Sequence, residues 1–446
     1  GSLTQSGNIV LEDGFFELGS STSLGSSYSG TISFSGGLFK HGQAKDFSSQ
    51  YSTAANQQYK IEVLGPSDGS RTYSADLTSD GGSLELLAGN LVLDGVNTYS
   101  GDTRISGGSL TVNGSLSDST TVDVQSGTYR LGSNDTIAGL NGSGAVDLNG
   151  QQLTVATPAS TQATFSGSIS GSQAGSQLIK SGTGRLTLSG NNQNIGSGSV
   201  AGGTLSISGV QDFVGDVNIA SGAVLEFDTA AANRIYAGVL SGAGDLNKVS
   251  SNELTLNGAH SYSGDTRISG GSLTVNGSLS DSTTVDVQSG TYRLGSNDTI
   301  AGLNGSGAVD LNGQQLTVAT PASTQATFSG SISGSQAGSQ LIKSGTGRLT
   351  LSGNNQNIGS GSVAGGTLSI SGVQDFVGDV NIASGAVLEF DTAAANRIYA
   401  GVLSGAGDLN KVSVNQLQLS GDSASTFSGT TTVSGGSVYV PGSLTQ

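Results

Sequence analysis

Cysteine, methionine and tryptophan are absent from the chain, and proline occurs only 4 times. Without cysteine there can be no disulfide, no thiolate nucleophile and no zinc–thiolate site. Losing methionine as well removes the other side chain that oxidants damage most readily, which suits exposure outside a cell. Charge is scarce: 11% of residues are charged, against about 25% in ordinary globular proteins. The balance is acidic, formally −16. So few cations, and no cluster of them, leave nothing to hold a nucleic-acid backbone. No apolar run approaches the roughly 18 residues of a membrane helix, so no membrane-spanning segment is expected.

What the chain has instead is glycine, 73 residues of it, with Ser, Thr and Asn supplying solubility. The hydrophobic share is 34%, mostly Leu, Val, Ile and Ala in short alternating runs. Disorder calls for fewer apolar residues and more charge, so a folded protein of many thin strand layers is expected. Helical character is nearly missing. Residues 230–238 (AAANRIYAG) carry a trace of it and are read as a loop.

Internal repetition organises everything else. Tyr99–Ser250 recurs unchanged as Tyr262–Ser413, and the likeness continues, weakened, from SNELTLNG (251–258) to VNQLQLSG (414–421). Residues 1–98 therefore form an N-terminal stretch, 99–261 and 262–413 two successive repeat units, and 414–446 the start of a further, divergent one. A unit that can follow its own copy without new interface residues fits an architecture stacked along one axis. Within each unit a shorter pattern runs strand, Ser-Gly or Gly-Gly turn, strand, as in TRISGGSLTV (103–112), SVAGGTLSI (199–207) and VNIASGAVLEF (217–227). An apolar residue soon after the turn gives a core ladder of Leu110, Tyr129, Leu153, Leu186, Leu205 and Leu225. Leu254 continues it and Leu273 opens the next unit. In TLSISG, Leu205 and Ile207 should point inward, Thr204 and Ser206 outward. The expected fold is all-β: a right-handed parallel β-helix, or β-solenoid, forming a single continuous rod. Coils of about 19 residues would stack at about 4.8 Å, giving a length of roughly 100 Å.

At NTYSGDTRISGGSLTVNGS (97–115) and SSNELTLNGAHSYSGDTRISGGSLTV (250–275) the sequence resembles the autotransporter-associated β-strand repeat, whose signature reads GxLTLxGxNxYxGxTxVxxGxL. NQLQLSGDSASTFSGTTTVSGGSVYV (415–440) is a weaker instance, and DFSSQYSTAANQQYKIEVLG (46–65) is similar to segments that precede such repeats. The resemblance implies a β-helical passenger exported across the outer membrane of a Gram-negative bacterium, of a kind used in adhesion, aggregation and biofilm matrix. No translocator barrel can be recognised in these residues, so the route of export stays open.

Chemistry is thinly provided. A nucleophilic triad lacks a GxSxG elbow, and His41 and His260 are read as solvated loop residues. The unit discards the second of them, since Asn97 stands at the equivalent position in the first copy. A pectate-lyase-type β-helix would need carboxylates with Arg or Lys on one coil face. The candidates are Asp123, Arg130 and Asp147 with their copies Asp286, Arg293 and Asp310, all at outward positions where solvated charge is the default. Asp102 and Arg104 become Thr430 and Thr432 in the third instance and are surface decoration. No enzyme activity and no cofactor are expected. Calcium is the one ion an extracellular setting would offer, but LEDG (11–14) and TSDGG (78–82) read as ordinary turns, not ligand loops. NGS and NDT tripeptides at 113, 134 and 141 are chance matches to the glycan rule.

Two functions remain, with a carbohydrate-active enzyme a distant third. One is a structural rod or fibre on the surface or in a biofilm matrix. The other is an adhesin whose loops at 156–180, 191–199 and 228–238 recognise carbohydrate or a cell surface. Partners would be copies of the same chain, stacked axially or laterally, or a surface polysaccharide. Phe15, Phe16, Phe34 and Phe39 crowd the first forty residues and suggest a wider or capping coil. The chain opens GSLTQ and closes PGSLTQ, so joining its ends would complete a register already in use. Axial contact is therefore expected through Ile9, Leu11, Phe15 and Leu18 at one end and Val438 and Val440 at the other.

Overall fold

A computed structural model describes residues 7–19, 28–65, 69–171, 173–190, 193–209, 215–334, 336–354, 356–372, 378–421 and 426–441. Both GSLTQ segments lie outside them. The chain divides into two compact units, Gly1–Val224 and Leu225–Gln446. Each is a parallel β-solenoid built of three-to-six-residue strands, and the only helical turn among the described residues is Ser48–Gln50.

Three faces recur in each unit. In the first, one face stacks Ser70–Tyr73, Asn90–Leu93, Ser109–Val112, Thr128–Leu131, Ala145–Asp147, Ser168–Gly171 and Gln193–Ile195. A second stacks Asp135–Ile137, Gln152–Ala156, Gln177–Ser181, Ser197–Val200 and Asp216–Ile219. The third runs from Phe15–Leu18 through Leu38–His41, Gln58–Val63 and Ser83–Ala88 to Thr204–Ile207, each strand pairing with its counterpart one coil on. The second unit repeats the registers of the first: Leu110 pairs with Tyr129 and Leu273 with Tyr292, Leu186 with Leu205 and Leu349 with Leu368. Residues 234–236, expected as part of a loop, form a strand that pairs with Glu253–Leu256.

Strand alternation sends every second residue inward, where it stacks on its equivalents above and below. Leu110, Tyr129, Leu153, Leu186, Leu205, Leu225, Leu254 and Leu273 are all 0% exposed. They do not share one column. Leu110 and Tyr129 stack on the first face, Leu153 pairs with Leu178 on the second, and Leu186 and Leu205 stack on the third. A Gly turn followed by a strand marks more than one corner of the coil, so a count along the sequence skips from face to face. Parity alone does not always predict exposure. Ser206 and its copy Ser369 occupy outward positions yet are 1% exposed. At Ser369 the Arg348–Glu389 ion pair lies over the small residue, and the Ser369 hydroxyl donates to Glu389 Oε1 at 2.9 Å.

Glycine is needed where coils meet at a corner. Gly108 has φ of +73°, and a Cβ there would lie 1.9 Å from the Gly89 carbonyl oxygen of the preceding coil.

The N-terminal coils are filled by rings. Phe34 packs edge-on against Tyr51 and Tyr59 at 4.9 and 5.4 Å, Phe39 against Phe47 at 6.2 Å, and Tyr51 against Tyr73 at 5.4 Å. Phe16 faces Phe39 and shares the inward parity of Leu18, which is buried. Phe15 has the opposite parity: it is 63% exposed, with Lys40 Nζ 4.6 Å above its ring.

Candidate functional sites

The outward charges form cross-strand pairs. Arg130 Nε lies 3.5 Å from Asp147 Oδ2, and the copies Arg293 and Asp310 repeat that distance. Asp123 sits on a different face, opposite Arg104, and its copy Asp286 is 3.5 Å from Arg267. The three candidates for a catalytic cluster are thus not brought together. Arg130 and Asp147 form a solvent-exposed ion pair worth little in stability, while Asp123 accepts from Gln125 Nε2 at 2.7 and 2.6 Å. Arg104 turns instead toward Glu85 at 4.0 Å. Gly14 N–H donates to Asp13 Oδ1 at 2.7 Å and Ser100 Oγ to Asp80 Oδ1 at 3.0 Å, so the acidic turns at 11–14 and 78–82 bond to their own chain. No group of three potential metal ligands occurs among the described residues, and no helix there is long and apolar enough to cross a membrane. A shallow polar groove of about 490 Å³ follows a corner past Ser289, Gly290, Ser306, Gly307, Ser329 and Gly330.

Of the residues expected to make axial contact, Leu11 and Leu18 are buried, Ile9 and Val438 half-buried, and Val440 is 44% exposed. Ile9 and Leu11 pair with Ile32 and Phe34 of the next coil. Val438 pairs with Leu417.

Both histidines are buried, not solvated. His41 Nε2 meets the Lys45 carbonyl at 2.8 Å and must carry the proton, so Nδ1 accepts from Tyr73 OH at 3.1 Å, which in turn accepts from Tyr51 OH at 2.9 Å. His260 Nδ1 accepts the Leu240 N–H at 3.0 Å, which places its proton on Nε2, a buried atom with no partner. Burial pushes both imidazoles down to about 4. Asn97 explains why His260 is tolerated. Its Oδ1 accepts the Leu77 N–H at 3.1 Å, the same bond, while its Nδ2 also donates to Gly95 and Ser115 carbonyls. Histidine keeps the acceptor half of that arrangement and forfeits the donor half.

Two buried polar features escaped the sequence reading. Asp135, 5% exposed, receives Tyr129 OH at 2.5 Å on Oδ2 and the N–H groups of Leu116 and Thr136 at 3.1 and 3.0 Å on Oδ1. Burial raises its carboxyl to about 6 against these hydrogen bonds, and Asp298 repeats the arrangement with Tyr292. Lys180, Lys248, Lys343 and Lys411 point inward, each 0% exposed, and burial lowers the first three amino groups to about 8. The signal was parity: Lys180 stands two residues after inward Leu178.

Comparison with known proteins agrees with this architecture. The passenger-associated transport repeat family matches residues 88–112, 178–207, 246–275, 341–370 and 409–440. A curated relative, the adhesin BmaC autotransporter of Brucella suis biovar 1 (strain 1330), is 32% identical over 146 residues, covering 28% of this chain and 4% of that protein. No solved structure matches. Five matched repeats lying on stacked parallel strands support a β-solenoid similar to the passengers of autotransporters.

Proposed function

We propose that the chain is a non-enzymatic structural segment of a Gram-negative surface, a length of solenoid that extends a rod or fibre by adding coils. The observation that supports it most is the interchangeable unit: Tyr99–Ser250 recurs unchanged, and its strands meet their neighbours in the same registers in both places. A rod gains length from each added copy, whereas a single binding site gains only avidity. Copies of the chain, stacked axially or laterally, are the proposed partners. Electron microscopy of native material tests this. Fibres or long rods with an axial repeat set by coils spaced about 4.8 Å apart are expected, and dispersed short particles on cells and in matrix would overturn the reading.

A second reading is an adhesin that grips carbohydrate or a cell surface through its loops, favoured by the name of the Brucella relative. Binding of the purified chain to glycan arrays or cells, lost when residues 157–161 and 320–324 are replaced by Gly-Ser, would support it over the rod.

A further inference from the structure

Each of the four buried lysines is the third residue of a matched transport repeat: Lys180 of 178–207, Lys248 of 246–275, Lys343 of 341–370 and Lys411 of 409–440. Their strand neighbours one coil on are Val200, Ile268, Val363 and Val433, so each lysine stands in a column of apolar side chains. Its three N–H groups find three carbonyls. Lys180 Nζ donates to Ser181 at 2.5 Å, Gly182 at 3.0 Å and Gly202 at 3.1 Å. Lys248 reaches Val249, Ser250 and Gly270 at 3.0, 2.9 and 2.9 Å, and Lys411 reaches Val412, Ser413 and Gly435 at 2.7, 2.8 and 2.9 Å. Lys343 repeats the set with Ser344, Gly345 and Gly365.

Two of the three acceptors always belong to the turn that ends the lysine's own strand, and the third to the turn one coil further. The residue two after the lysine is left-handed in every case: Gly182 at +68°, Ser250 at +68°, Gly345 at +69° and Ser413 at +72°. At Ser250 and Ser413 that conformation disfavours an L side chain, and the ammonium bond to the same residue's carbonyl helps hold it. Packing alone does not require lysine. Leu86 pairs with Ile105 as Lys248 pairs with Ile268, and there leucine serves.

We propose that these lysines couple successive coils, each ammonium closing its own turn only when the next coil has docked, so that the two turns form and open together. An ammonium in this position that lost its third acceptor would be a partly uncompensated buried charge, which is strongly disfavoured. In a solenoid, where coils contact only their neighbours, such links set the size of the units that open together.

The duplicated sequence supplies its own control. In full-length Lys180→Met, the segment 178–207 differs in mass from its copy 341–370, so hydrogen exchange of variant and native turns is read in one molecule. Ala201 and Thr204 N–H groups donate to Lys180 and Gly184 carbonyls, as Ala364 and Thr367 do to Lys343 and Gly347. Exchange at 201 and 204 should be about tenfold faster than at 364 and 367. It should also outpace exchange at 182–184, where the native copy opens both turns at one rate. Lys343→Met should give the mirror image. Equal exchange in the two copies, or equal acceleration of both turns, would overturn the coupling.

Discussion

Inside a parallel solenoid a side chain's parity sets its surroundings, so adjacent residues answer very differently to the same substitution. Leu205→Asp puts an unpaired carboxylate in a closed apolar column and should cost several kcal/mol in urea denaturation. Ser369→Asp sets a charge under the Arg348 guanidinium and beside Glu389. The like charges should leave a smaller loss, about 1 kcal/mol, that grows at low salt. The buried titrating groups pull in opposite directions with pH. Asp135 and Asp298 rise from 3.8 to about 6, so their contribution is full below pH 4 and lost as the pH rises through 6. His41 and His260 fall from 6.5 to about 4, so theirs is present above 6.5 and lost as the pH falls through 4. The native profile between pH 4 and 6 should therefore be shallow. Asp135→Asn combined with Asp298→Asn should unmask a steady loss on acidification, measured as urea midpoints at pH 7, 5.5 and 4. His260→Asn restores the side chain of Asn97. It should lessen the acid loss and add about 1 kcal/mol at pH 7 by returning a donor to the Gly258 and Ser278 carbonyls.

At the scale of the strand and turn, glycine corners decide whether coils can approach. Gly108→Ala meets both a left-handed backbone and the Gly89 carbonyl. It should destabilise by several kcal/mol, read as a lowered melting temperature. Gly222, left-handed at +75° but with nothing within 4 Å of the missing Cβ, isolates the conformational part. Gly222→Ala should cost about 1 kcal/mol. Similar losses at the two sites would mean the corner relaxes. Much of this level was legible beforehand: Ser-Gly and Gly-Gly turns, flanking alternation and the inward leucines. Assignment of those leucines to faces was not, because one coil carries several similar corners. The inward lysines were also open to view, since Lys180 and Leu178 share parity in QLIKS. A cation in that register reads as an exception until the three carbonyls that receive it are known.

For the whole molecule, nearest-neighbour contacts make length a free variable. Deleting residues 111–273 joins Leu110 to Thr274 and leaves the local sequence of the joint unchanged, because the two copies are identical there. Every coil keeps neighbours of the kind it had. The shortened chain should retain the same far-ultraviolet circular dichroism per residue and melt within about 3 °C of the parent. A collapse of the transition would show that longer-range contacts matter.

Composition, period-two alternation and self-similarity determined the fold class and the repeat organisation, because a strand's two faces and a repeated unit are local properties of the chain. They could not determine which groups ended up dry. His41, His260, Asp135 and the lysines are hydrophilic letters whose positions look solvated until coils close over them. Each has at least one partner from a distant stretch of chain: Tyr73 for His41, Leu240 for His260, Leu116 for Asp135 and Gly202 for Lys180. Stacking brings those groups together, and only the tertiary structure says which coil lies next to which.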